Sequence, residues 1–147
     1  MTPEEIMRVA IAQAEKSKTP FGAVIVKDNQ IVEQAGNTVE QDADPTAHAE
    51  VNVIRKLTSR LKTSSFNEGY ILYSTCEPCA MCAATCFWAG ISEIVYGVGG
   101  EDFEDDYNPN MIKVQCQDII EQSPNSIPIK SGILKQDCKH LHSKYPL

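Results

Sequence analysis

The chain has 147 residues, a length that fits one domain, and its 42% hydrophobic and 22% charged residues are typical of a globular protein. Its net charge of −7 argues against a general polyanion-binding surface, because nucleic-acid binders gain most of their affinity by neutralising phosphates with basic residues; a local basic groove stays open. No apolar run approaches the roughly 18 residues of a membrane span, and the acidic start does not resemble a secretory signal. We therefore expect a cytoplasmic protein that binds no membrane.

Predicted helices and strands alternate along most of the chain. A first helix covers residues 2–17, where Thr2 and Glu5 form a capping box and Pro3 takes the first helical position. Two β-rich runs, 21–26 and 31–35, then predict a hairpin. After a polar, turn-forming stretch, the predicted elements are helix 46–62, strand 70–75, helix 78–89, strand 94–98, helix 111–121, strand 127–129 and helix 134–144. This order favours an α/β fold with a largely parallel sheet, made mixed by the hairpin and covered by helices on both faces.

The cysteines are unevenly distributed. Four of the six fall between residues 76 and 86, and the other two, Cys116 and Cys138, are interpreted as ordinary thiols. A disulfide framework in a chain of this length would spread its cysteines. Such crowding in a protein without export features indicates metal or thiol chemistry.

Helix geometry selects two of the crowded cysteines. Placing Pro78 at position N1 puts Cys79 and Cys82 in the first turn of a helix, where residues three apart share a face and both sulfurs can reach one ion. The helix N-terminus also lowers thiol pKa values and favours the thiolates that zinc needs. Cys76 precedes the helix and is less able to join the same tetrahedron.

A second motif, His48-Ala49-Glu50, begins the preceding predicted helix. Together the two motifs form the pattern H-x-E…P-C-x-x-C, in which one His and two Cys hold zinc and the Glu is not a ligand. Three protein ligands leave a fourth position open, where zinc lowers the pKa of bound water toward about 7. The resulting zinc-bound hydroxide can attack the amine-bearing carbon of a nucleobase, while Glu50 shuttles protons to the ring and the leaving amine.

A structural-zinc or redox-thiol protein is the alternative of another class. A structural zinc site would want a fourth protein ligand, for which Cys76 and Cys86 are the nearby candidates. This alternative predicts that Glu50→Gln leaves function intact.

The chain resembles the cytidine and deoxycytidylate deaminase superfamily over about residues 3–135. The segments that carry the resemblance are 20–27, Asn37, 44–51 and 75–82, and they are similar to the purine-acting branch, which includes bacterial guanine deaminases and tRNA adenosine deaminases. The resemblance implies a three-layer α/β sandwich with a five-stranded mixed sheet between helices. It also implies one zinc ion per chain, held by His48, Cys79 and Cys82, a single deaminase domain over residues 1–147, and a homodimer.

Within this branch, four features favour guanine as the substrate, which would give xanthine and ammonia. They are Phe21 after Pro20, Cys76 before Glu77, the Phe87-Trp88 pair, and Asp102, which falls where guanine deaminases carry an Asp that can accept from the 2-amino group. A buried carboxylate paired with an exocyclic amine would reject a base lacking that amine. Phe21 or Trp88 can stack on a purine, and Asn37 can both donate and accept at a ring edge. The predicted substrate-binding residues are Asn37, Phe21, Ala49 through its backbone N–H, Trp88, Asp102 and Tyr145.

Three of these contacts have a simpler interpretation. Trp88 is also suited to a helix core, Asp102 to a solvated acidic run, and Asn37 to a turn. The tail is shorter than in familiar guanine deaminases, whose aromatic terminus reaches a neighbouring subunit's pocket, a part that Tyr145 would take here. Guanosine, a triazine, cytosine or tRNA adenosine therefore remain alternative substrates, and a tRNA would need a basic rim, for which the candidates are Arg55, Lys56, Arg60 and Lys62.

Overall fold

The computed structural model describes residues 1–104, 107 and 111–147, and its elements follow the predicted order. The helices are α1 (Pro3–Ser17), α2 (Val39–Asp42), α3 (Ala49–Leu61), α4 (Ala80–Ala89), α5 (Cys116–Glu121) and α6 (Lys135–Lys144). The strands are β1 (Gly22–Lys27), β2 (Gln30–Gly36), β3 (Ile71–Cys76), β4 (Glu93–Val98) and β5 (Ile129–Lys130), and a 3-10 turn covers Gly100–Asp102. Helix α2 was not predicted, and it lies in the stretch that was expected to form turns. Among the described helices, none combines the length and apolar character needed to cross a bilayer.

The five strands form one mixed sheet in the order β2-β1-β3-β4-β5. Strand β1 runs antiparallel to both of its neighbours, whereas β3, β4 and β5 are parallel to one another. The hairpin closes through Asp28 and Asn29, whose φ angles of 51° and 60° match the primed turns favoured between two twisted strands. The five-stranded mixed sheet is thus confirmed, but parallel pairing is confined to the half after β1.

Helices cover both faces of the sheet, which confirms the three-layer arrangement. Successive side chains of a strand point to opposite faces. In β1, Ala23 and Ile25 pack with residues of α3, α4 and α5, whereas Val24 and Val26 pack with residues of α1 and α6. Because β1 lies inside the sheet and has apolar side chains on both faces, it is almost wholly buried.

Three predicted helices begin two or more residues later than the sequence indicated. The prediction that Pro78 occupies N1 of α4 is wrong, because the chain is still extended at Cys79 (φ −68°, ψ 176°), which is the N-cap residue. The backbone N–H of Glu77 donates to the carbonyl of Val98 at 2.8 Å, so the β3–β4 ladder continues past the end of β3 and delays the helix. Likewise α3 begins at Ala49 and α5 at Cys116.

Candidate metal centre and active site

The first turns of α3 and α4 bring together the three predicted metal ligands. His48 is the N-cap residue of α3, Cys79 is the N-cap residue of α4, and Cys82 lies three residues further along α4. One ligand atom from each of these residues lies within 4.8 Å of the other two. In the part of the chain that the structure describes, this is the group with metal-site geometry, and neither Cys76 nor Cys86 joins it.

The distances fit a zinc ion. The Nδ1 atom of His48 lies 3.6 Å from Sγ of Cys79 and 3.5 Å from Sγ of Cys82. In a tetrahedral site with Zn–S near 2.3 Å and Zn–N near 2.1 Å, the separation between a sulfur and a nitrogen ligand is about 3.6 Å. One nitrogen and two sulfurs are also a donor set that zinc prefers. The residues present therefore suit a zinc ion with three protein ligands.

Protons are shared unequally among the ligands. A hydrogen bond from Cys82, together with His48, lowers the pKa of the Cys79 thiol to about 4. The hydrogen bond between Cys82 and Cys79, together with burial, raises the pKa of the Cys82 thiol. The hydrogen bond between His48 and Cys79 raises the pKa of the His48 imidazole. Both helix N-termini point their positive ends at this cluster, which favours negative sulfur. One thiolate is therefore formed at neutral pH, and a bound dication would favour loss of the proton from the second.

Glu50 lies next to this cluster, in the first turn of α3, and is only 5% exposed. Burial raises the pKa of its carboxyl to about 7. A carboxyl with such a pKa can both accept and donate a proton near neutral pH, which is what a general acid–base requires. The structure thus places the predicted proton shuttle beside the predicted ligands.

A buried asparagine orients the loop that carries His48. The side-chain amide of Asn52 donates to the carbonyl of Gly36 at 2.9 Å, to Oγ1 of Thr38 at 2.9 Å and to the carbonyl of Ala47 at 3.1 Å. These bonds tie the end of β2 and the residue before His48 to the second turn of α3. Asn52 follows His48 by four residues and so lies on the same helix face, but nothing in the sequence distinguished it from a surface residue.

Glu77 plays the corresponding part for the loop that carries Cys79. Its Oε1 accepts from the backbone N–H of Gly100 at 3.0 Å, and its Oε2 accepts from that of Cys116 at 2.9 Å. One carboxylate therefore joins the β3–α4 loop, the turn after β4 and the start of α5. Because these segments are distant in sequence, only the fold reveals this role.

A cavity of about 410 Å³ opens beside the candidate ligand Cys79. Its wall includes Cys76, Phe103, Tyr107 and Ile112, which come from the end of β3 and from the segment between β4 and α5. Volumes of about 300–1,000 Å³ are usual for small-molecule sites. Phe103 and Tyr107 were not predicted, because they lie in an irregular segment without a periodic pattern. Asp105 and Asp106 of the acidic run lie outside the described residues.

Two of the predicted substrate contacts lie close to the candidate ligands or the cavity, and a third lines a different cleft. Ala49 is the first residue of α3, so its backbone N–H is free of the helical ladder and lies beside His48. Phe21 packs edge-on against His142, so the imidazole of His142 lies between Phe21 and the cavity wall. The side chain of Asn37 accepts from the backbone N–H of Val39 at 3.0 Å and lines a different cleft, with Thr38 and Arg55.

The structure does not bring the other three predicted contacts to the cavity. Trp88 is 74% exposed near the C-terminal end of α4, about 13 Å along the helix from Cys79. The carboxylate of Asp102 accepts from the backbone N–H of Gly99 and pairs with Lys135. The hydroxyl of Tyr145 donates to Glu15 of α1. Among the described residues, none of the three is in the cavity wall.

Comparison with known proteins places these features in a family. The family model described as the cytidine and deoxycytidylate deaminase zinc-binding region matches residues 1–98. The tRNA-specific adenosine deaminase of Aquifex aeolicus is 40% identical over 100 residues, which are 65% of this chain and 66% of that protein. The guanine deaminase of Bacillus subtilis is 45% identical over 83 residues, 56% of this chain and 53% of that protein. The chain thus spans only between about half and two thirds of the length of these relatives.

A solved structure supports the same assignment. This structure comes from a study of A-to-I editing by tRNA:A34 deaminases, and it superimposes on the present chain with a TM-score of 0.79 at 28% sequence identity. The superposition covers 93% of the present chain and 98% of the other chain. The predicted cytidine deaminase-like fold is therefore confirmed. Since the family match spans most of the chain and includes His48, Glu50, Cys79 and Cys82, the chain belongs to the cytidine and deoxycytidylate deaminase zinc-binding family.

Proposed function

We propose that residues 1–147 form one deaminase domain that converts a purine base, guanine, into xanthine and ammonia. The observation that carries the proposal is the buried carboxyl of Glu50 beside a ligand group of one imidazole and two thiols. His48, Cys79 and Cys82 would hold the zinc ion, which when bound supplies a water molecule activated at neutral pH.

Glu50 carries the proton transfers of this reaction. Hydrolysis forms a carbon–oxygen bond from water and breaks the bond between that carbon and the amino nitrogen. Glu50 takes one proton from the attacking water and passes it to a ring nitrogen. It then takes the remaining proton from the hydroxyl added to the carbon, which becomes the product carbonyl, and delivers it to the amine, which leaves as ammonia. A pKa of about 7 suits each of these transfers, because the carboxyl is neither fully charged nor fully protonated.

Surface charge supports a free base over a nucleic acid as the substrate. The chain carries a net charge of −7. Of the candidate basic rim, Lys56 and Arg60 both pair with Glu33, at 3.4 and 3.3 Å. Paired cations offer less to a phosphate backbone than free ones. The 45% identity to a guanine deaminase supports the same choice.

The second candidate is deamination of a tRNA adenosine. It is favoured by the extent of the sequence match: the alignment with the tRNA-specific adenosine deaminase of Bacillus subtilis covers 99% of this chain at 31% identity, whereas the alignment with guanine deaminase covers 56% at 45% identity. The same ligands and Glu50 serve both reactions. The substrate is therefore decided by the cavity wall and by the surface around it.

A coupled ammonia assay on zinc-loaded protein tests the proposal. The panel is guanine, guanosine, adenine, cytosine, cytidine and an anticodon stem-loop RNA. Turnover of guanine alone is the expected result. Turnover of the RNA with no activity on free bases would replace guanine by tRNA adenosine and leave the zinc chemistry in place.

The variant Glu50→Gln separates an enzyme from a structural-zinc or redox-thiol protein. We expect it to keep its zinc and to lose turnover by at least about a hundredfold, since it cannot move protons. Glu68→Gln, an exposed site, is the matched control and retains full activity. Full activity in Glu50→Gln would contradict the proposed mechanism.

A further inference from the structure

A buried histidine on the last helix lies behind the wall of the cavity. His142 of α6 is only 5% exposed, and its Nδ1 lies 2.8 Å from the hydroxyl of Tyr107. Its other ring nitrogen, Nε2, is buried and has no hydrogen-bond partner among the described residues. Leaving a buried polar atom without a partner costs free energy, so this arrangement calls for a reason.

Three aromatic rings enclose this imidazole. The ring centroids of Phe103, Phe21 and Tyr107 lie 4.7, 5.7 and 5.8 Å from that of His142, and all three contacts are edge-to-face. Phe103 and Tyr107 stack on each other at 4.5 Å. Of these rings, Phe103 and Tyr107 also line the cavity beside Cys79. His142 therefore contacts both of the stacked rings that line the cavity.

The surroundings of His142 keep its ring neutral. Burial lowers the pKa of His142 to about 4. A neutral imidazole has one donor and one acceptor nitrogen, and a hydroxyl can pair with Nδ1 in either role. The bond to Tyr107 is thus formed in both tautomers at neutral pH. It joins the segment after β4 to α6, two parts of the chain 35 residues apart.

We infer that His142 is a positioning residue: by holding the hydroxyl of Tyr107, it fixes the stacked Phe103–Tyr107 pair as an aromatic wall against which the ring of a purine substrate is bound. The inference rests on the proposed function, because it assigns this wall to the substrate of the same site. An aromatic wall suits a heteroaromatic base, which packs favourably against either the face or the edge of an aromatic ring. Rings held in place bind such a base better than mobile ones, since less side-chain freedom is lost on binding.

If the aromatic wall binds the substrate, its loss should change the affinity for the substrate rather than the rate of the chemical step. Glu50 and the three ligand candidates come from α3 and α4, whereas His142 and Tyr107 come from neither helix. Loss of the bond between them should therefore raise KM about 10-fold, the size of one buried hydrogen bond, and change kcat less than about twofold. A merely structural histidine would lower the folded fraction and leave KM of the folded enzyme unchanged.

The test compares five variants of the zinc-loaded protein on the base of the panel that is turned over fastest. Tyr107→Phe removes only the hydroxyl, and His142→Leu removes its partner; each should give the same rise in KM, and the double variant no more than either single one. His142→Asn places an amide near the Nδ1 position and should restore KM to within about threefold. His140→Leu, an exposed site on the same helix, is the matched control and leaves KM unchanged.

The outcomes separate this inference from the proposed function. Normal KM values in both Tyr107→Phe and His142→Leu, or an Asn variant no better than the Leu variant, would overturn the inference and leave the deaminase proposal standing. If no base of the panel is turned over, the proposed function fails, and calorimetric Kd values for guanine on the same variants replace KM. Absence of guanine binding to the wild-type protein would then overturn the inference as well.

Discussion

The protonation of His142 makes a quantitative prediction about stability. Its folded-state pKa of about 4 lies below the value of 6.5 that is ordinary for histidine. Between these two values the unfolded chain binds one proton more than the folded chain, so the free energy of unfolding must fall as the pH falls. The stabilisation is complete above pH 6.5 and is lost progressively as the pH drops toward 4.

The size of the loss follows from the two pKa values. Each pKa unit corresponds to about 1.36 kcal/mol of free energy. Lowering the pH from 7 to 5 should therefore remove up to about 2 kcal/mol through this residue alone. Replacing His142 by Asn removes the titrating group, so the variant should lack this part of the pH dependence.

Urea unfolding of the zinc-saturated wild-type protein and of His142→Asn at pH 7 and pH 5 provides the measurement. The remaining titrating groups, the zinc ligands included, are common to both proteins and cancel in the difference. We expect the wild-type protein to lose up to about 2 kcal/mol more than the variant between the two pH values. Equal losses in the two proteins would show that His142 is not kept neutral by burial.

Three further changes test the packing and the site. Gly22→Ala should lower the free energy of unfolding by about 3 kcal/mol or more, because the added Cβ would lie 2.0 Å from the carbonyl oxygen of Ala10 in α1. The measurement is the thermal midpoint of unfolding. Gly100→Ala is the control and should cost far less, because the atom nearest to its added Cβ is 3.9 Å away. Elemental analysis should find no stoichiometric zinc in Cys82→Ser, whereas Cys76→Ser should retain its zinc. Loss of zinc from both variants would mean that Cys76 is also a ligand. Trp88→Ser, at an exposed site, should change the free energy of unfolding by less than about 0.5 kcal/mol, and an unchanged KM would remove Trp88 from the substrate contacts.

The candidate metal ligands and the proposed proton shuttle could be picked out from the sequence because each motif is local. His48 and Glu50 belong to one helix start, and Cys79 and Cys82 to another. The three-residue spacing of the cysteines places both on one helix face, whereas His48 and Glu50 are held together simply by being two residues apart. The alternation of strands and helices likewise indicated the layers. Even here the detailed geometry needed the fold, since the ladder bond from Glu77 to Val98 moved the start of α4 past Pro78.

The cavity wall and the supports of the ligands were decided by tertiary structure alone. Phe103 and Tyr107 come from an irregular segment, His142 from the last helix, and Glu77 reaches both Gly100 and Cys116. Contacts between residues so far apart in sequence depend on strand order and helix packing, and these leave no local periodicity to detect. The chemistry therefore follows from two short motifs, whereas the substrate depends on surfaces that the chain assembles only when it folds.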